Sequence, residues 1–265
     1  MSNLDDTSEN FLELSSRQRL QILSKLLEKK GKISQMAREL DATNQEIHRN
    51  FMRLEDGGFV VKNQEGNYIL TTFGRTICFQ IPSIIFLSQN KKYFEHHNFE
   101  DLPPKFVFRV GQLQKGEYVK GITKVFETWK SIYKNAEEFI YKITPEVPLD
   151  LIEPLVNKIK KGIVYNGILS ENTIVPKGRK KLLKKLNFNE LVEKGLAERR
   201  MKKNVKTIVI LNEKEALVSF PKLDGEDDLT QSFYGNDKMF HEWCLDYFRY
   251  CWYDSGMFQE SKLKE

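Results

Sequence analysis

Apolar residues recur along the chain in two rhythms, and the change from one to the other divides it. From Ser15 to Lys30, Leu20, Ile22, Leu23, Leu26 and Leu27 form the inner side of a helix that Ser15 or Ser16 can cap and Gly31 ends. Met36, Ala37 and Leu40 share one side of a shorter helix, with Ser34 as its cap, before Asp41-Ala42-Thr43 interrupts the pattern. A third helix starts at Thr43 and carries Ile47, Phe51 and Leu54 at i, i+4 and i+7. That stripe packs on the preceding helix and turns Gln45, His48, Arg49, Met52 and Arg53 outward. Gly57-Gly58 ends the helix. Phe59-Val60-Val61-Lys62 and Tyr68-Ile69-Leu70-Thr71 then read as strands joined by the turn residues Asn63-Gln64-Glu65-Gly66-Asn67.

This order predicts a winged helix-turn-helix unit over residues 15–72, behind a flexible N-terminus at 1–14. A helix continues from about Arg75 toward His96, broken or bent near Pro82, and residues 73–100 are expected to connect and to dimerise. Asp101-Leu102-Pro103-Pro104 is the clearest linker signal, which places a second domain at 101–265. There, a helix is expected at 115–136, a strand at 138–143, a helix at 149–161, a strand at 163–169 and one or two helices at 177–194. Strands at 197–201, 206–211 and 215–220 follow, before an aromatic-rich helix at 236–253. The fold class is therefore an α+β winged unit followed by an α/β sensor domain with a mixed, partly parallel sheet.

Composition narrows the function. The chain has 265 residues, 40% of them hydrophobic, and no apolar run approaches the roughly 20 residues that span a bilayer, so a cytoplasmic location without membrane contact is expected. Cys78, Cys244 and Cys251 show no CxxC spacing and are expected to be reduced and buried. Charge is uneven: residues 17–92 hold 13 Lys and Arg against 7 Asp and Glu, a surplus of 6, and residues 156–206 hold 15 against 4, a surplus of 11. The first surplus suits contact with phosphates. The run Lys177 to Lys185 reads more simply as the solvated face of a helix.

A helix front of amide, imidazole and guanidinium groups fits a major groove, since Gln and Arg pair with the edges of adenine and guanine. Double-stranded DNA is the expected partner, with Asn44, Gln45, His48, Arg49, Arg53, Lys62 and Asn63 as the contacting residues. A winged adaptor that docks on protein is the rival reading, and a ligand-binding enzyme a weaker one.

With its closing pattern Phe240, Trp243, Cys244, Phe248 and Trp252, and with Ile143-Thr144-Pro145 and Leu169-Ser170-Glu171 after two strands, the chain resembles a group of archaeal transcription regulators. These join an ArsR-like winged helix to the middle domain named from methanogenesis and filament regulators. The resemblance implies a DNA-binding homodimer whose second domain senses a ligand or partner, in a fold like the phospholipase D half-barrel. The His-x-Lys-x4-Asp motif of those enzymes is absent here, because none of His48, His96, His97 or His241 has Lys two places later. No phosphate loop, GxSxG or HExxH occurs either, so neither catalysis nor a cofactor or metal is expected. His96 and His97 read as surface histidines, and the last helix's aromatic residues as core. For an unknown small-molecule effector the expected place is the carboxyl edge of the parallel strands, at Thr144, Ser170, Glu171 and Asn172.

Overall fold

The computed structural model describes residues 3–100, 102–146 and 148–263, apart from the side chains of Asn3, Glu146, Asn172 and Ile174. The chain forms two units, Met1–Pro82 and Ser83–Glu265.

The first unit begins with helices α1 (Asn3–Leu14), α2 (Arg17–Glu28), α3 (Ile33–Glu39) and α4 (Asn44–Asp56). Residues 3–14 are thus helical where a flexible start was expected. Asp5, Glu9 and Glu13 recur every fourth residue, a helical spacing masked by the polar composition around them. Ser16 caps α2 by accepting from the Arg19 N–H. Lys32 rather than Ser34 is the N-cap of α3, and its side chain makes no capping bond. Asp41 takes the left-handed conformation (φ 51°) at the bend between α3 and α4. The hairpin β1 (Val60–Lys62) and β2 (Tyr68–Leu70) pairs Val61 with Ile69. Ile22, Leu23, Ile47, Phe51, Leu54 and Phe59 have no exposed surface and form the centre of this unit. Helix α5 (Thr72–Gln89) runs through Pro82, where the boundary between the units falls.

In the second unit, α6 (Lys91–Phe94) and α7 (Pro104–Val107) precede β3 (Glu117–Lys120) and α8 (Ile122–Asn135). Then come β4 (Phe139–Glu146), α9 (Leu149–Ile159), β5 (Val164–Ile174), α10 (Arg179–Lys185) and α11 (Phe188–Glu193). The chain continues with β6 (Ala197–Lys202), β7 (Ile208–Leu211), β8 (Ala216–Ser219), β9 (Gln231–Gly235), α12 (Lys238–Tyr253) and β10 (Gly256–Met257). Among the described residues the strands make one mixed sheet in the order β10-β6-β5-β4-β7-β8-β9-β3. β4, β5 and β6 are mutually parallel and the other pairs antiparallel.

Alternation along the strands separates two layers of core. Ile140, Tyr165, Leu169 and Ala197 face α8 and α9 with Trp129, Ile132 and Val156. Ile143, Ile168 and Val209 face Phe240, Trp243, Tyr247 and Phe248 of α12, and Tyr141 stacks on Phe248 with ring centres 4.7 Å apart. The three cysteines are free and buried.

Leu102 belongs to the core of the second unit, so residues 102–104 lie within that unit and do not link two domains. Leu102 and Phe106 are buried with Tyr93, and Pro104 occupies the first turn of α7, where a missing N–H costs no helical bond. The expected helix at 115–136 begins later, because Gly121 (φ 107°) separates β3 from α8. His97 is not a surface residue: it is 3% exposed, and its Nε2 lies 2.8 Å from Asp228 Oδ2.

Candidate nucleic-acid interface

A capping box fixes the start of α4. The Thr43 hydroxyl oxygen accepts from the Glu46 N–H at 3.2 Å, while the Glu46 carboxylate accepts from the Thr43 N–H and hydroxyl, both at 2.9 Å. Those bonds hold the Glu46 carboxyl below its ordinary pKa. With Ile47, Phe51 and Leu54 fully buried, the helix can turn only one face outward. Asn44, Gln45, His48, Arg49, Met52 and Arg53 are exposed on it. Among the described residues, no hydrogen bond or salt bridge engages the side chains of Gln45, His48 or Arg49.

Arg53 is differently placed. Its Nε donates to Glu13 Oε2 at 3.0 Å and its Nη2 to Glu13 Oε1, a bidentate pair that raises the guanidinium pKa. Glu13 also meets Arg19 Nε at 3.2 Å, and Arg19 donates to the Leu12 and Glu13 carbonyl oxygens. Asp6, Glu9, Glu13 and Asp56 line a hollow beside Arg53. The C-terminal end of α4 therefore meets an acidic helix, while its N-terminal half does not. Glu13 is the residue that sequence reasoning passed over.

On the wing, Lys62 is exposed with its ammonium 5.8 Å from the centre of the Tyr68 ring. Asn63 is half-buried and shapes the turn: its Oδ1 accepts from the Glu65 and Asn67 N–H groups at 3.1 and 2.9 Å. That occupation leaves the Asn63 side-chain NH2 as the group it can offer a partner.

The suggested effector residues do not form a loop cluster. Thr144 and Ser170 are buried within β4 and β5, and Glu171 accepts from Lys262 Nζ at 2.8 Å. The side chain of Asn172 lies outside the described residues. β5 runs on to Ile174, so positions read as loop are strand.

Residues 10–87 match the family model of the N-terminal domain of methanogenesis regulatory protein FilR1. This span holds α2, α3, α4 and the hairpin. No curated protein sequence matches the chain. Among solved structures, that of TrmBL2, an archaeal chromatin protein, is 13% identical over 86% of this chain and 88% of its own, with a TM-score of 0.43. Nuc from Salmonella typhimurium, a phospholipase D family member, is 12% identical over 55% of this chain and 99% of its own, with a TM-score of 0.40. NucT from Helicobacter pylori is 12% identical over 54% and 99%, with a TM-score of 0.41. Such distant likenesses carry no function to this chain. No described helix is long and apolar enough to cross a membrane. Among the described residues no group of three His, Cys, Asp or Glu side chains is arranged to hold a metal ion.

Proposed function

We propose that the chain is a sequence-specific, DNA-binding transcription regulator, active as a cytoplasmic homodimer without catalysis, whose second unit senses an effector. One observation carries the reading: the N-terminal half of α4 presents Asn44, Gln45, His48 and Arg49 from a rigid, capped helix beside a hairpin. Residues at the start of a recognition helix are those that reach base edges in a major groove. The match of residues 10–87 to a regulator's N-terminal domain supports the same use. Arg49 and Gln45 read bases, His48 assists, and Lys62 meets phosphate or the minor groove. Arg53 is the weaker contributor, because a phosphate must displace Glu13 to reach it.

Arg49→Ala is expected to cost about 1 to 3 kcal/mol at the preferred site and to relax selectivity at one base pair. Electrophoretic shifts on fragments selected from genomic DNA, at one fixed salt, read this directly. Unchanged binding would remove Arg49 from the role. Affinity that hardly responds to salt would favour a winged adaptor for protein partners, since phosphate contacts weaken steeply as salt rises.

Dimerisation is assigned to α5, which leaves Phe79 62% and Ile84 55% exposed. Isolated apolar side chains are common on surfaces, so the test must be direct. Phe79→Glu should convert the protein to monomer in a light-scattering concentration series and weaken binding to paired half-sites about 10 base pairs apart. A parent that is monomeric at every concentration would end this part of the proposal.

A further inference from the structure

Three cations from distant parts of the sequence meet beneath the second unit's sheet. Lys142 on β4 is opposite Gly167 on β5, and Gly167 is opposite Arg199 on β6, so the two cations occupy one cross-strand row. Two strand spacings, roughly 10 Å, separate their Cα atoms. Gly167 puts no side chain of its own in the middle of that row. A Cβ there would fall 2.1 Å from the Tyr165 hydroxyl oxygen, so the glycine lets the Tyr165 ring fold over the row. Arg179, at the first turn of α10, lines the same cavity and is 2% exposed.

These charges are poorly balanced. Among the described residues only Glu260 pairs with them, meeting Arg179 Nη1 and, at 3.4 Å, Arg199 Nη1. Lys142 is 4% exposed, forms no ion pair among the described residues, and lies 5.6 and 5.9 Å from the Trp129 and Tyr165 ring centres. Arg179 Nε is buried with no hydrogen-bond partner. Donors without acceptors deep in a fold are costly, and an ammonium more so than most. The rest of the cavity is apolar, lined by Leu151, Leu155, Leu169, Leu183 and Phe188. Its volume of about 30 Å³ accommodates about two waters, which suits a head group of a few atoms and excludes a sugar ring.

We infer that this cavity binds a small anion, a carboxylate or phosphate group held by Lys142, Arg179, Arg199 and the Tyr165 hydroxyl. Burial pushes the Tyr165 phenol well above its ordinary pKa, so the hydroxyl keeps its proton and donates. Burial, with Arg179 and Arg199 nearby, lowers Lys142 to about 7. An anion placed between them reverses that electrostatic penalty, so the Lys142 amine takes up a proton and becomes ammonium as the ligand enters. The site stands on the second unit alone, whether or not the first reads DNA.

The test is titration calorimetry on the full chain, without DNA, using acetate and inorganic phosphate as probes and acetamide as the neutral control. Runs in two buffers of different ionisation heat at pH 8 count the protons exchanged. One or both anions should bind with net proton uptake, acetamide should not, and Lys142→Met and Arg199→Met should each bind at least about tenfold more weakly. The stronger anion identifies the head group. Millimolar binding by neither anion, equal binding by acetamide, or undiminished binding by Lys142→Met would each overturn the assignment. None of these outcomes bears on DNA binding, which is measured separately.

Discussion

Lys142→Met is expected to raise the unfolding free energy at pH 6.5 by on the order of 3 to 5 kcal/mol, the free-energy equivalent of the depression of its pKa from 10.5 to about 7. Methionine keeps the length of the stem and removes the ammonium. Burial causes most of the depression, and the neighbouring Arg179 and Arg199 add to it. The sign follows from proton counting. Between about pH 7 and 10.5 the unfolded chain binds a proton that the folded one does not, so parent stability rises with pH across that window. The penalty is fully present below pH 7 and absent above 10.5. Urea unfolding of parent and variant at pH 6.5 and pH 9 should therefore show a gap that narrows as pH rises. A variant less stable than the parent at pH 6.5 would mean that Lys142 has a compensating partner.

The second large effect concerns His97 and Asp228. Both side chains are 1% exposed. His97 Nδ1 lies 2.8 Å from the Tyr93 carbonyl oxygen, so the two ring nitrogens face oxygen acceptors on opposite sides. Asp228 Oδ1 also accepts from the Thr230 N–H and hydroxyl, both at 2.6 Å, and Oδ2 from Gln231 Nε2 at 3.2 Å. Burial alone would raise the Asp228 pKa. The hydrogen bonds from His97 and Thr230 prevail and hold it at about 2. His97→Ala takes one donor from a buried carboxylate that keeps Thr230 and Gln231, and with the cavity it leaves should cost about 2 to 4 kcal/mol in urea unfolding at neutral pH. Asp228's own contribution is complete above its ordinary value of 3.8 and disappears as pH falls toward 2. A loss below about 1 kcal/mol on His97→Ala would show that water replaces the ring without penalty.

Local periodicity made the first unit readable. α4 has a buried stripe, a capping box and a glycine end within a few residues of one another, so its exposed face could be deduced without tertiary information. α12 was equally plain from its aromatic spacing. β3 and β9 were not. Tyr118 and Val119 precede the period that starts at Ile122, and Gln231-Ser232-Phe233-Tyr234 is too short to announce a strand until β3 and β8 lie on either side of it. Proline misled in one place, since Pro103-Pro104 marks a helix start inside a core as readily as a linker. Long-range pairing concealed the rest. Glu13 lies 40 residues from Arg53 and 131 residues separate His97 from Asp228, so neither contact leaves a pattern in the chain. Arg179 lay hidden in a lysine-rich run whose neighbours Lys177, Lys180 and Lys181 are indeed solvated.

The Glu13 clamp has a practical side. Because Glu13 at the end of α1 holds Arg53 of α4, a truncation that removes α1 releases that guanidinium. Phosphate binding by such a shortened chain would then include a cation that the full chain keeps paired, counterfeiting salt-sensitive affinity that the native protein lacks.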